Sequence, residues 1–174
     1  MGTPLENNTT ALQDILAAVR ASAGGGDYVP LTAEEIWAII GYVPIRTLDI
    51  TASNISEYFT VTNASYYFAG NGGTFTTNNG GVGSSTAKTT LKALYDMAVA
   101  FTYSYSSESG YDKFTLKVGS TTVANAVSGS TTTKQYAGKI TAGTEIMFQY
   151  SKDGGADSYN DQCTFSAMTV TGKF

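Results

Sequence analysis

The sequence predicts a mainly β fold, an antiparallel β-sandwich of jelly-roll-like character preceded by short N-terminal helices. Three observations carry this. Twelve Tyr, eight Phe and nineteen Gly occur in 174 residues, a composition suited to strands with frequent turns. Several segments alternate apolar and polar residues with period two. These segments are short and separated by Gly, Ser, Asn and Asp, the spacing of a sandwich of about eight to ten strands. Apolar content of 42% suffices for a core.

The first element lies in residues 1–26. Leu5, Leu12 and Val19 are spaced by seven with Ile15 between them, an a/d register over about two heptads. Two heptads are too short to hold a coiled coil alone. The segment therefore reads as one amphipathic helix packed on its own domain, or as a helix that pairs with copies of itself or docks on a partner. Gly24, Gly25 and Gly26 follow at once and detach it, which favours the second reading.

Residues 27–45 form a second unit. Thr32 and Glu35 compose a capping box, and Gly41 with Pro44 beyond it supplies the stop, so the helix spans about Ala33 to Ile40. Ile36, Trp37, Ile39 and Ile40 cover most of its circumference, and Tyr42 follows in the turn. A two-turn helix this apolar is expected to be buried against neighbouring chains or a receiving surface, as a trimerising neck.

From Arg46 to Phe174 the pattern is that of strands. Met97, Val99, Phe101, Tyr103 and Tyr105 share one face, as do Phe114, Leu116 and Val118, and Ile146, Phe148 and Tyr150. Further strands are expected at 57–61, 64–69, 73–77, 87–94, 121–127, 132–139 and 162–171. Cys163, in the last of these, reads as a small buried hydrophobe.

Charge and composition exclude several functions. Residues 1–45 net −4 and residues 46–174 net zero. No basic run lies along the chain, which argues against nucleic acid. The chain has no His, so Ser/His and Cys/His nucleophiles are excluded. Met1 to Glu6 lacks the basic start of a secretory signal, and no apolar run approaches membrane-spanning length. Synthesis and assembly in a host cytoplasm, without membrane insertion, are the expectation.

Two resemblances follow from quoted stretches. "LTAEEIWAIIGYVPI" resembles a segment that recurs in bacteriophage head-fibre and tail-fibre proteins, through Leu31, Thr32, Ile36, Gly41, Tyr42 and Pro44, with Val43 where Thr is usual. The resemblance implies a homotrimeric stalk. The span Phe101–Phe165, with "SSESGYDKF" and "AGTEIMFQYSKDGG", resembles jelly-roll modules of bacterial surface proteins and phage adhesins. Its spacing is also similar to CUB domains, without their disulfides. That likeness implies a calcium site at Glu108, Asp112 and Asp153.

Read from the residues alone, Glu108 and Asp112 are carboxylates at the rim of a turn joining two core strands. A structural calcium site is the alternative, with Asp153, Asp157 and Asp161 as further oxygen donors; no other cofactor is expected. A catalytic carboxylate pair has no aromatic cleft to support it. Tyr66, Tyr67 and Tyr159, in or near loops, are the candidates for stacking on a glycan. Leu5, Leu12, Ile15, Val19, Ile36, Trp37, Ile40 and Tyr42 are the candidate trimer and attachment residues. The expectation is a non-enzymatic virion protein of a tailed bacteriophage, a trimeric fibre or decoration protein held to capsid or tail through its N-terminus, with a sandwich head projecting toward a host-surface glycan. The alternative is a carbohydrate-binding module of a bacterial surface protein.

Overall fold

A computed structural model describes residues 13, 14, 17, 32–155 and 161–174. The chain divides into two compact units, Met1–Pro44 and Ile45–Phe174. In the expected N-terminal helix Gln13, Asp14 and Ala17 are helical, while Leu5, Leu12, Ile15 and Val19 lie outside the described residues.

Helix α1, Ala33–Ile40, forms as its caps dictate. The Thr32 N–H donates to Glu35 Oε2 at 2.7 Å, and the Glu35 N–H donates back to Thr32 Oγ1 at 3.3 Å. Gly41 ends the helix at φ 66°, a left-handed conformation that costs glycine little. Ile36 is buried and Trp37 half-buried, its ring 6.0 Å from that of Tyr42. Ile40 is 48% exposed, so the helix does not bury its whole circumference within one chain.

The second unit is an antiparallel sandwich. Its strands are β1 (Ile45–Asp49), β2 (Phe59–Asn63), β3 (Phe68–Asn71), β4 (Thr74–Thr77), β5 (Thr86–Ala93), β6 (Met97–Ser106), β7 (Lys113–Val118), β8 (Thr121–Val127), β9 (Lys134–Ile140), β10 (Glu145–Ser151) and β11 (Gln162–Lys173). One sheet has the order β3-β4-β11-β6-β9, with β1 pairing the far end of β11; the other has the order β2-β5-β10-β7-β8. Between them lies one core, and Phe101, Phe114, Leu116, Phe148 and Phe165 are among its fully covered side chains. Tyr103 and Tyr105 join it, as their shared face with Phe101 requires.

Three departures from the period-two reading have local causes. Residues 57 and 58 are helical, in α2 (Ile55–Tyr58), rather than extended. The Thr51 N–H donates to Asn54 Oδ1 at 2.8 Å, and Asn54 Nδ2 donates to the Asp49 carbonyl at 2.9 Å. These side-chain bonds wind the chain before β2 can begin. Residues 64–67 are irregular, and pairing with β4 starts only at Phe68. In β11 the register with β6 shifts between Ser166 and Thr169, with Ala167 at φ 49°. The bulge inserts one residue, so Cys163 and Phe165 before it and Met168 and Val170 after it all face the core.

Candidate functional site

The carboxylates singled out by sequence belong to a buried polar cluster. Tyr150 is the last inward residue of β10, and its ring is fully covered. Its hydroxyl emerges at the end of the apolar core between Asp112, just before β7, and Asp161, just before β11. It lies 3.3 Å from Asp112 Oδ2 and also donates to Asp161 Oδ1. The other Asp112 oxygen accepts the Asp153 N–H at 3.0 Å. Asp161 is also ion-paired with Lys152. Asp112, Lys152 and Asp161 are 2%, 6% and 4% exposed.

This corrects the rim assignment of Asp112. Asp112 turns inward, one oxygen facing the Tyr150 phenol beside Asp161 and the other accepting the Asp153 N–H. Glu108 stays at the half-exposed rim, in a turn where its carbonyl accepts the Tyr111 N–H at 3.3 Å. Asp153 does approach Asp112, but through its backbone amide. Its carboxylate accepts the Gly155 N–H at 2.7 Å instead. Among the described residues no group of three His, Cys, Asp or Glu side chains is placed to hold a metal ion. Asp157 lies outside those residues.

The electrostatics of the cluster are structural. Burial, then the hydrogen bond and charge of Asp161, push the Tyr150 hydroxyl well above the usual phenol range. It is therefore a donor at neutral pH. Burial likewise raises the Cys163 thiol, helped by the charges of Asp161 and Asp112, and the thiol is fully covered. A protonated, enclosed Cys is not a nucleophile. Two carboxylates, one ammonium and one phenol thus meet, all buried, at the end of the core.

The tyrosines expected to meet a glycan are held by the fold. Tyr66 accepts the Lys88 N–H through its carbonyl at 2.9 Å, and the Tyr67 N–H donates to Asn78 Oδ1 at 2.7 Å. Both rings are half-buried, and Tyr67 lines a cavity of about 150 Å³ beside Phe68, Phe75 and Leu91. Tyr159 lies outside the described residues.

A large open cleft of about 820 Å³ lies within the second unit, and sequence reasoning missed it. Its walls are the β5–β6 turn with the start of β6, the end of β9 with the β9–β10 turn, the first residue of β1 and the last three residues of β11. Asp96 Oδ1 accepts the Ala142 N–H at 2.8 Å and ties the two turns together. Phe174 packs edge-on against Tyr58 and Tyr95, with centroids 5.0 and 5.4 Å apart, and so fixes the Tyr95 ring at the rim. Leu94, Tyr95 and Ile45 are 43%, 41% and 65% exposed. Lys139, Lys173 and Thr141 supply donors, and Asp96 is the one carboxylate among the described lining residues. The volume falls within the roughly 300–1,000 Å³ of small-ligand sites. A fixed ring beside polar groups can hold an amphipathic ligand. The signal in the sequence was the apolar pair Leu94–Tyr95 at the end of a strand, where alternation alone does not separate turn from strand.

No family model matches the chain, and no curated protein matches it. Solved structures do. The secreted serine protease VesC from Vibrio cholerae matches 82% of this chain at 13% identity with a TM-score of 0.53, and the match takes in only 28% of that protein's length. A family 29 carbohydrate-binding module, CBM29-2 solved as a point mutant, matches 74% of this chain and 92% of its own at 14% identity and a TM-score of 0.40. The C-terminal family 6 carbohydrate-binding module of LamC, a marine laminarinase from Zobellia galactanivorans, matches 73% of this chain and all of its own at 16% identity and a TM-score of 0.34. At such identities the likeness concerns fold alone.

Proposed function

We propose that the sandwich is a non-catalytic glycan-binding module and that the cleft beside Tyr95 is its site. The cleft carries this reading, not the two carbohydrate-binding modules named above. A held aromatic ring can stack on the apolar face of a sugar while Asp96, Lys139 and Thr141 meet its hydroxyls. The buried cluster supports the non-catalytic part, since Asp112 and Asp161 are enclosed. The test is a calorimetric titration of the full chain with a panel of neutral oligosaccharides. Tyr95→Ala should weaken the binding roughly ten-fold, about 1.4 kcal/mol. Tyr111→Ala, 60% exposed and outside the cleft, should leave it unchanged. No binding across the panel, or binding indifferent to Tyr95→Ala, would sink the reading.

A second, larger-scale reading concerns display. The module would be the head of a short homotrimeric fibre or decoration protein on a bacteriophage virion, attached to capsid or tail through residues 1–26. The observation that favours it is α1 with the turn after it, the segment that resembles those of fibre proteins, which leaves Ile40 and Val43 48% and 42% exposed in a single chain. Burial across three copies would remove that surface from water. Light scattering of the full chain should give three times the 18.3 kDa chain mass. A monomer that persists at high concentration would count against self-trimerisation.

A further inference from the structure

The five strands of the β2-β5-β10-β7-β8 sheet, all described, carry five charged residues: Lys88 and Lys92 on β5, Lys113 and Lys117 on β7, and Glu145 on β10. All five alternate with core residues. Ala87 and Leu91 face inward beside Lys88 and Lys92, Phe114 and Leu116 beside Lys113 and Lys117, and Ile146 beside Glu145. Because β10 pairs with β5 on one side and β7 on the other, the four lysines share the outer face. Glu145 stands directly across from Lys92. Gln149 stands between Lys88 and Thr115, and Ser151 between Thr86 and Lys113. Asp153, just past the end of β10, has its carboxylate bonded to the Gly155 N–H. The face is thus net positive, with Met147 between Thr90 and Lys117 as its apolar residue on β10 and hydroxyl and amide groups elsewhere between the charges.

We infer that this face docks an anionic polysaccharide. Strand geometry sets the spacing. Lysines four residues apart along one strand are roughly 13 Å apart, and the two pairs are separated by two strand spacings, roughly 10 Å. Duplex DNA presents a charge about every 1.7 Å, far denser than this array, and nucleic-acid sites recruit Arg forks for phosphates and aromatic platforms for single strands. The outward positions of these strands hold neither. A polymer with one acidic group per sugar, or per pair of sugars, matches sparse cations. Its hydroxyls match the Thr, Ser and Gln side chains between them. The face shares no lining residue with the Tyr95 cleft, so the two proposals stand or fall separately.

The test is retardation of the full chain in native gels cast with polygalacturonate, dextran sulfate or neutral dextran. Retardation is expected in the two anionic polymers, weakening as salt rises, and not in neutral dextran. Replacing all four lysines by Gln should weaken it about ten-fold, the effect of several exposed ion pairs lost together. Lys88→Gln with Lys113→Gln should weaken it more than Arg46→Gln with Lys134→Gln, which changes the net charge equally. Glu145→Gln should strengthen it, a gain that misfolding cannot produce. Equal retardation in neutral dextran, equal effects of the two charge-matched pairs, or tighter binding of duplex DNA than of polygalacturonate at the same salt would each overturn the inference.

Discussion

Lys152→Met is expected to destabilise the sandwich by about 3–5 kcal/mol, the cost of removing one partner from a buried ion pair. Lys152 and Asp161 side chains are 1% and 5% exposed, so water screens the pair little. Without the ammonium, Asp161 retains the Tyr150 hydroxyl, which also faces the Asp112 carboxylate and has one proton to give. Asp112 would keep the Asp153 N–H, but Asp161 would be a buried carboxylate that has lost its cation and competes with Asp112 for the one Tyr150 proton. The loss is a large fraction of a typical domain stability of about 5–15 kcal/mol. Urea unfolding should show a lower midpoint with unchanged slope. The double variant Lys152→Met with Asp161→Asn should recover most of the loss. Asn keeps an acceptor for Tyr150, carries no charge, and tolerates the φ of 48° found at this position. A single-variant loss below about 1 kcal/mol, the range of surface pairs, would show that the pair does not hold the core closed.

Why this cluster escaped a sequence reading is a matter of what turns conceal. "SSESGYDKF" is a polar turn by composition, and Gly110 at φ 89° confirms the turn. Nothing local distinguishes Glu108 from Asp112. Their difference is set by Tyr150, distant in sequence, whose hydroxyl must find an acceptor where the core ends. The lysine face is similar. "KTTLK" on β5 and "KFTLK" on β7 each show outward lysines by alternation, but only the sheet order brings both onto one surface. By contrast, α1 could be read nearly residue by residue, because its capping box and Gly41 stop are local chemistry. The long alternating segments at β6, β7 and β10 were legible for the same reason. Strand β1 was not, since Arg46 and Thr47 are exposed together and its pairing with the end of β11 is long-range.

Phe165→Ala should cost about 3–5 kcal/mol, the range for a fully buried aromatic truncated to Ala. Phe165 lies on β11 and stacks on Phe148 of the opposite sheet, with centroids 4.1 Å apart and planes at 14°. On its other flank Phe75 stacks at 4.5 Å and 6°. The three rings run from one sheet into the other, so removing the middle one opens a cavity where the sheets meet, and neither rigid neighbour can fill it without leaving its own packing. Phe165→Leu keeps much of the volume and should cost less than half as much. Thermal unfolding of the two variants separates the cavity effect from the loss of ring stacking. Similar losses for Leu and Ala would assign the effect to the stack. Because Phe165 lines neither the Tyr95 cleft nor the lysine face, the folded fraction of Phe165→Ala should bind each ligand as the unaltered chain does. The proposed binding surfaces are thereby distinguished from the core that holds them in place.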